Sequence, residues 1–183
     1  MSASVGELIG GRYRLERRLR EAPQASLWVA SDQLAGGAGV ALWQLASGQP
    51  AEPMRALWNR WQQVLHPQIP RLGAPIEADD QLWLVREWQA GRSYQQLLQL
   101  RLERGLVYGP GEALLVLRQV LPVLAVLHGQ QLAHGDLRPA QLLRRDGDGL
   151  PVLLDCCQLT AGRSLDAPHP SHRRTCVTWP CWR

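Results

Sequence analysis

His134-Gly135-Asp136-Leu137-Arg138-Pro139-Ala140-Gln141-Leu142-Leu143 leads, through a polar Gly-rich turn at residues 146–149, into Pro151-Val152-Leu153-Leu154-Asp155. A long apolar run, residues 113–127, precedes the stretch. The pattern predicts a helix, a loop with one acid, a short apolar pair, a turn, and an apolar strand ending on a second acid. Asp136 and Asp155 stand 19 positions apart, each at the edge of an apolar segment. Two carboxylates so placed are what phosphoryl transfer uses. One accepts the proton of the attacking hydroxyl, and the other holds magnesium on the phosphates.

At 183 residues the chain is long enough for one domain with a substantial core. A hydrophobic content of 45% fits a globular protein. The net charge is +4, but the basic residues are scattered, which argues against a specific nucleic-acid interface. All 20 basic residues are Arg, and Lys is absent. Chemistry that needs a Lys ammonium has no donor here. Arg is larger, planar and more weakly hydrated, so it is no free substitute. The N-terminus lacks the basic-then-apolar pattern of a signal peptide. The longest apolar stretch is interrupted by Arg118, Gln119 and Pro122, so neither a membrane span nor a membrane partner is expected. Four Cys without a secretion signal imply reduced thiols and a cytoplasmic location.

Alternation over residues 13–19 predicts a strand, residues 25–31 a second, and residues 40–45 a third after a Gly-rich turn at 35–39. Pro53 suits the first position of a helix over 53–65, with Met54, Leu57, Trp58, Trp61 and Leu65 on one face. Two more strands are expected over 72–76 and 82–87, joined through Asp79-Asp80, before a break at Ala90-Gly91. Ser93 and Gln96 form a capping box for a helix over 93–104. A turn at 108–111 leads into an apolar helix over 112–128, expected to be buried on most sides and bent near Pro122. The order is that of an α+β chain, strand-rich first and helical later.

From Tyr13 to about Thr160 these markers, in this order, resemble a bacterial serine/threonine protein kinase domain. Gly11-Arg12-Tyr13-Arg14-Leu15 resembles the entry to the first strand, and Val40-Ala41-Leu42 the run before the phosphate-binding Lys. His66-Pro67-x-Ile69 resembles the end of the regulatory helix, and Leu84-Val85-Arg86-Glu87-Trp88-x-x-Gly91 the hinge between lobes. Leu127-His128 and His134-Gly135-Asp136-Leu137-Arg138-Pro139 resemble the helix end and the catalytic loop. The resemblance implies a kinase-like α+β fold. An antiparallel-sheet N-lobe with one helix would occupy residues 13–87. A partial, mainly helical C-lobe carrying the catalytic loop would occupy 88–163, between a lead at 1–12 and an irregular tail at 164–183.

The same resemblance exposes departures. The phosphate-covering loop corresponds to Arg20-Glu21-Ala22-Pro23-Gln24-Ala25, which contains no Gly. Pro23 removes a donor and Glu21 repels phosphate. The phosphate-binding Lys falls at Trp43, and its acidic partner at Leu57 in a helix read as free of acids. Gly135 replaces the Arg that pairs with a phosphorylated activation segment. Gln141 falls where an Asn binds the second magnesium, and Cys156-Cys157 follow Asp155 in place of Phe-Gly. Only 28 residues follow Asp155, so the resemblance implies a domain truncated after the metal-binding loop. Without the helix that normally supports the catalytic loop, the apolar faces of 112–128 and 152–154 would stay partly open and call for a protein partner or self-association. His169, His172, Cys176 and Cys181 fit no standard zinc spacing. The tail reads as irregular, or as the product of a frameshift.

The functional expectation is a catalytically inactive pseudokinase or kinase remnant that acts by binding, with no certain cofactor. The alternative is an atypical serine/threonine kinase using ATP and magnesium. There Asp136 is the base, Arg138 steadies the transferred phosphate, and Asp155 and Gln141 hold the metal. Arg20, Trp43, Glu87 and Trp88 would line its nucleotide cleft.

Overall fold

A computed structural model describes residues 3–154 in two compact units, divided after Gln89. The first unit holds β1 (Leu8–Ile9), β2 (Tyr13–Glu21), β3 (Ala25–Asp32), β4 (Ala38–Leu45), α1 (Ala51–Gln62), β5 (Ile76–Ala78) and β6 (Gln81–Glu87). The strands form one antiparallel sheet in the order β1-β2-β3-β4-β6-β5. This is the expected antiparallel sheet with one helix.

Alternation divides the side chains between two faces, and both are buried. Ile9, Tyr13, Leu15, Trp28, Ala30, Val40, Leu42, Trp83 and Val85 form one cluster. The opposite face carries Leu27, Val29, Ala41, Trp43, Leu45 and Leu84, all buried, as are Met54, Trp58 and Trp61 of α1. Trp58 Nε1–H donates to the Gly73 carbonyl at 2.9 Å and so ties α1 to the segment after it. At one end of β3 the Asp32 carboxylate accepts a two-pronged bond from Arg12 at 2.8 and 2.6 Å, and a further bond from the Leu34 amide at 3.0 Å. Arg12 holds the Asp32 carboxyl below its ordinary range, with smaller help from the Leu34 amide. Asp79 and Asp80 both take positive φ, 52° and 57°, the geometry of a two-residue hairpin that Asp tolerates.

Several boundaries differ from expectation. Leu8–Ile9, read as part of a lead, pairs with β2 and buries Ile9. The strand expected over 72–76 is a single bridge from Leu72 to Arg86, and the strand proper is β5. Pro75 cannot donate to a ladder, so regular pairing starts after it. Helix α1 begins at Ala51, which puts Pro53 third in the first turn, where its missing N–H costs nothing. The early start brings Glu52 into the helix, which therefore does hold an acid. Leu65 is 79% exposed because the helix ends at Gln62 and a turn through Val64 brings that residue inward instead.

The second unit holds β7 (Gly91–Ser93), α2 (Tyr94–Leu102), α3 (Pro110–Gly129), β8 (Leu142–Arg145) and β9 (Pro151–Leu153). The three strands form an antiparallel sheet in the order β7-β8-β9. The capping box of α2 is present: Ser93 Oγ accepts from the Gln96 amide at 3.2 Å, and Gln96 Oε1 accepts from the Ser93 amide at 2.9 Å. Helix α3 starts with Pro at its first position and runs through Pro122 to Gly129.

Two expectations about burial need correction. Helix α3 is not buried on most sides: Val120, Val123, Leu124 and Leu127 point inward, while Leu114, Leu115 and Leu121 are 66%, 59% and 58% exposed. An apolar run fixes composition, whereas burial depends on what packs against each side. Conversely, Val152, Leu153 and Leu154 are buried rather than open, and Leu143, Val152 and Leu154 share a small cluster of their own. By length and composition α3 would pass as a membrane span, as core helices also do.

Glu112 joins α2 to α3. Its carboxylate takes two bonds from Arg101, at 2.8 and 2.6 Å, and one from the Gly109 amide at 3.0 Å. The Arg101 bonds first, and then the Gly109 amide, lower its pKa to about 2. A carboxyl whose folded pKa is depressed contributes stability above its unfolded pKa of 4.5 and loses it as pH falls toward about 2. Glu112→Gln is therefore expected to lower the melting temperature at pH 7, and the gap from wild type is expected to close between pH 4.5 and 2. Melting curves of both proteins across that window check this.

Candidate active site

In the second unit, α3 delivers the chain to His134, which is 1% exposed. His134 Nε2 lies 2.8 Å from the Leu154 carbonyl. A carbonyl can only accept, so this nitrogen carries the proton. Gly135 adopts φ 79°, a left-handed conformation that glycine takes without strain, and turns the chain toward Asp136. Asp136 Oδ2 accepts from Arg138 at 2.9 Å and from Gln141 Nε2 at 3.2 Å. Gln141 is fully buried. Its amide nitrogen, not its oxygen, is turned to Asp136, because a carboxylate accepts.

Gln141 also anchors the backbone. Its N–H donates to the Arg138 carbonyl at 2.9 Å, and its carbonyl accepts from the Leu154 N–H at 2.8 Å. Leu154 is thus held on both sides, by His134 and by Gln141. The pairing of Leu142 with Leu153 continues this link into β8 and β9. The loop around Asp136 is therefore built from within its own unit. Asp155, the other acid, lies outside the described residues, as do Cys156, Cys157, and the His and Cys of the tail.

In the first unit, β2 and β3 are joined by a tight hairpin. The Ala22 amide donates to the Ala25 carbonyl at 3.1 Å, leaving Pro23-Gln24 as the loop. The Gln24 carbonyl accepts from the Ala46 amide at 2.9 Å, which ties the loop to the end of β4. Pro23 has no N–H, and the Ala22 N–H is already used. This hairpin does not fit a phosphate group, which needs several converging amides. Glu21 adds a negative charge, bridged to Arg18 at 3.1 Å. Arg20 is half-buried on β2 opposite Leu27, just past a bulge.

Trp43 is 0% exposed, on β4 between Leu27 of β3 and Leu84 of β6. It is a core side chain. The acid brought in by the early start of α1, Glu52, is exposed and lies 3.5 Å from Arg55. Glu87 is exposed, with its carboxylate on the Arg71 amide at 3.3 Å. Trp88 is half-buried, and its amide donates to the Gly39 carbonyl at 3.3 Å. Sequence reasoning missed Arg86, which is 4% exposed and lies on the Trp43 face, opposite Ala41. Its place at alternate positions from Leu82 and Leu84 was the available signal.

Comparison with known proteins agrees with this fold. No protein-family model matches the chain. Serine/threonine-protein kinase-like protein E of Synechocystis sp. is 30% identical over 158 residues, which cover 84% of this chain and 26% of that protein. Serine/threonine-protein kinase B of the same organism is 29% identical, over 80% of this chain and 27% of its own length. The chain thus spans about a quarter of the length of these relatives. Among solved structures, the Mycobacterium tuberculosis PknI kinase domain superposes with a TM-score of 0.66 at 24% identity, covering 85% of this chain and 63% of that one. The chain is a protein-kinase-like domain. Rad53 residues 1–466, solved with AMP-PNP, superposes on the kinase-like domain with a TM-score of 0.70 at 19% identity, over 83% of this chain and 40% of that one. The expected fold class holds. Asp136, Arg138 and Gln141 come together in one loop, and Arg20, Trp43, Glu87 and Trp88 are spread over three strands and a strand end of the other unit.

Proposed function

We propose that this kinase-like domain does not transfer phosphate and acts by binding another protein. The observation that carries this reading is Trp43. Where the resemblance puts a phosphate-binding ammonium, an indole is packed with no exposure at all. The neighbouring hairpin supports it, since Pro23 has no N–H to offer, and the Ala22 amide and the Ala25 and Gln24 carbonyls are bonded within the unit. Arg138 is bonded to Asp136, which supports an inherited loop geometry held by its own contacts.

One observation favours the alternative, an atypical kinase with Asp136 as base and Asp155 on magnesium. Arg86 puts a guanidinium on the same sheet face as Trp43. A buried cation there could replace part of the missing positive charge. The two readings separate in a transfer assay. Incubation with γ-labelled ATP, magnesium and a general protein substrate is expected to give wild-type label equal to that of Asp136→Asn. Label that depends on Asp136 would favour the enzyme.

A further inference from the structure

The turn between β8 and β9 contains two Asp-Gly steps, Asp146-Gly147 and Asp148-Gly149, and the chain has no other Asp-Gly or Asn-Gly. At such a step the side-chain carboxyl carbon and the amide nitrogen of the next residue can close a five-membered ring. Glycine has no Cβ to obstruct the approach. Closure needs the nitrogen free of a hydrogen bond, and the carboxyl free to rotate and to take up a proton. The two steps differ in each respect. The Asp148 carboxylate accepts from Arg145 at 3.0 and 2.5 Å and from the Leu150 amide at 3.1 Å. The Gly149 N–H donates to the Arg145 carbonyl at 2.9 Å, and Gly149 takes φ +71° with the Arg144 guanidinium against it. The Arg145 bonds first, and then the Leu150 amide, lower the Asp148 carboxyl from 3.8 to about 2. Its protonated form is then at least about tenfold rarer than that of an ordinary Asp. Asp146, by contrast, is exposed, and its carboxylate has no hydrogen bond or ion pair among the described residues. The Gly147 N–H has no acceptor among them either, and a Cβ added at Gly147 would meet nothing within 4 Å.

We propose that Asp146-Gly147 is a site of spontaneous covalent modification, at which aspartate becomes isoaspartate, and that the fold protects Asp148-Gly149 in the same turn. The Gly147 nitrogen bonds to Asp146 Cγ, and a carboxyl oxygen leaves as water, carrying the carboxyl proton and the amide proton. Water then opens the ring. Attack at Cγ restores aspartate. Attack at the main-chain carbonyl leaves the chain running through Cγ, with a free α-carboxylate. Nothing is oxidised or reduced, and one methylene has entered the backbone of the turn. The Arg145 N–H bond to the Leu150 carbonyl, 3.0 Å long, then has to close a longer loop. The change falls in the hairpin whose continuation, Leu154, is held by His134 and Gln141 beside the Asp136 loop. The modification asks nothing of Trp43 or of nucleotide, so its failure leaves the proposed function untouched.

Ageing the full chain at mildly acidic pH in heavy-oxygen water tests this. Each ring opening by solvent leaves one heavy oxygen on the residue. Electron-transfer fragmentation of the digested protein locates the label and distinguishes the two linkages. The expected result is label and isoaspartate at position 146, accumulating at least about tenfold faster than at position 148. In urea, where the turn is lost, both Asp-Gly steps are expected to react at comparable rates, so the difference belongs to the fold. Asp146→Glu is expected to abolish the label at position 146, because its longer side chain closes the ring poorly. Equal rates at the two positions in the folded chain would overturn the proposal. So would faster reaction at position 148, or a folded chain unmodified at both positions while the urea-unfolded chain reacts.

Discussion

Trp43→Lys is expected to unfold the first unit rather than repair its chemistry. The side chain at this position is fully buried between Leu27 and Leu84 on the sheet. Removing a buried Trp costs about 3–5 kcal/mol through lost packing and the cavity left behind. A Lys there adds the cost of a buried cation or of its deprotonation, a further few kcal/mol. The helix that should supply a carboxylate has Leu57 at the matching position, and its Glu52 is exposed beside Arg55. The sum is comparable with the whole stability of a small domain, roughly 5–15 kcal/mol. Urea denaturation followed by circular dichroism checks it. Trp43→Phe should lower the midpoint modestly, and Trp43→Lys should abolish the transition. A Lys variant as stable as wild type would mean that position 43 has access to water.

Gly91→Ala is expected to be the most damaging single-methyl change in the second unit. Gly91 has φ +155°, and an added Cβ would lie 2.3 Å from the Arg144 carbonyl oxygen and 2.7 Å from Leu143 Cδ2. The oxygen belongs to the β7–β8 ladder, where Gly91 pairs with Arg145, so it cannot retreat without breaking that pairing. A loss of about 3 kcal/mol or more follows. Gly105→Ala is the control. Gly105 has φ +68° with nothing within 4 Å of the added Cβ, so only backbone strain of about 1–2 kcal/mol is expected. Thermal melts of both variants decide the matter, and equal effects would show that the clash at Gly91 relaxes freely.

These two positions show what could be read from the chain before folding. Trp43 was legible as a substitution, since its place after Val40-Ala41-Leu42 is a matter of counting. Its complete burial was not, because strand alternation names a face and not what covers it. Strands β2, β3, β4 and β6 were legible through alternation or apolar runs, and the α2 cap through Ser93 and Gln96. Strand β7 was missed because Gly-Arg-Ser has no strand pattern, and it is extended only by pairing with β8. Around Asp136 the spacing supplied the residue types. It said nothing of the direction of the Gln141 amide, which the carboxylate sets. Arg86 was passed over because a polar residue in a strand suggests a solvent face, yet here both sheet faces are covered.

The proposed function turns on position 43, where the resemblance puts the phosphate-binding Lys and where the buried Trp43 is core, so that the kinase-like domain would not hold nucleotide. A thermal-shift titration with millimolar ATP, with and without magnesium, tests it most directly, because any ligand that binds the folded state raises its melting temperature. The account predicts no shift in either series for wild type or Asp155→Ala. A clear rise with magnesium and ATP that disappears in Asp155→Ala would contradict it.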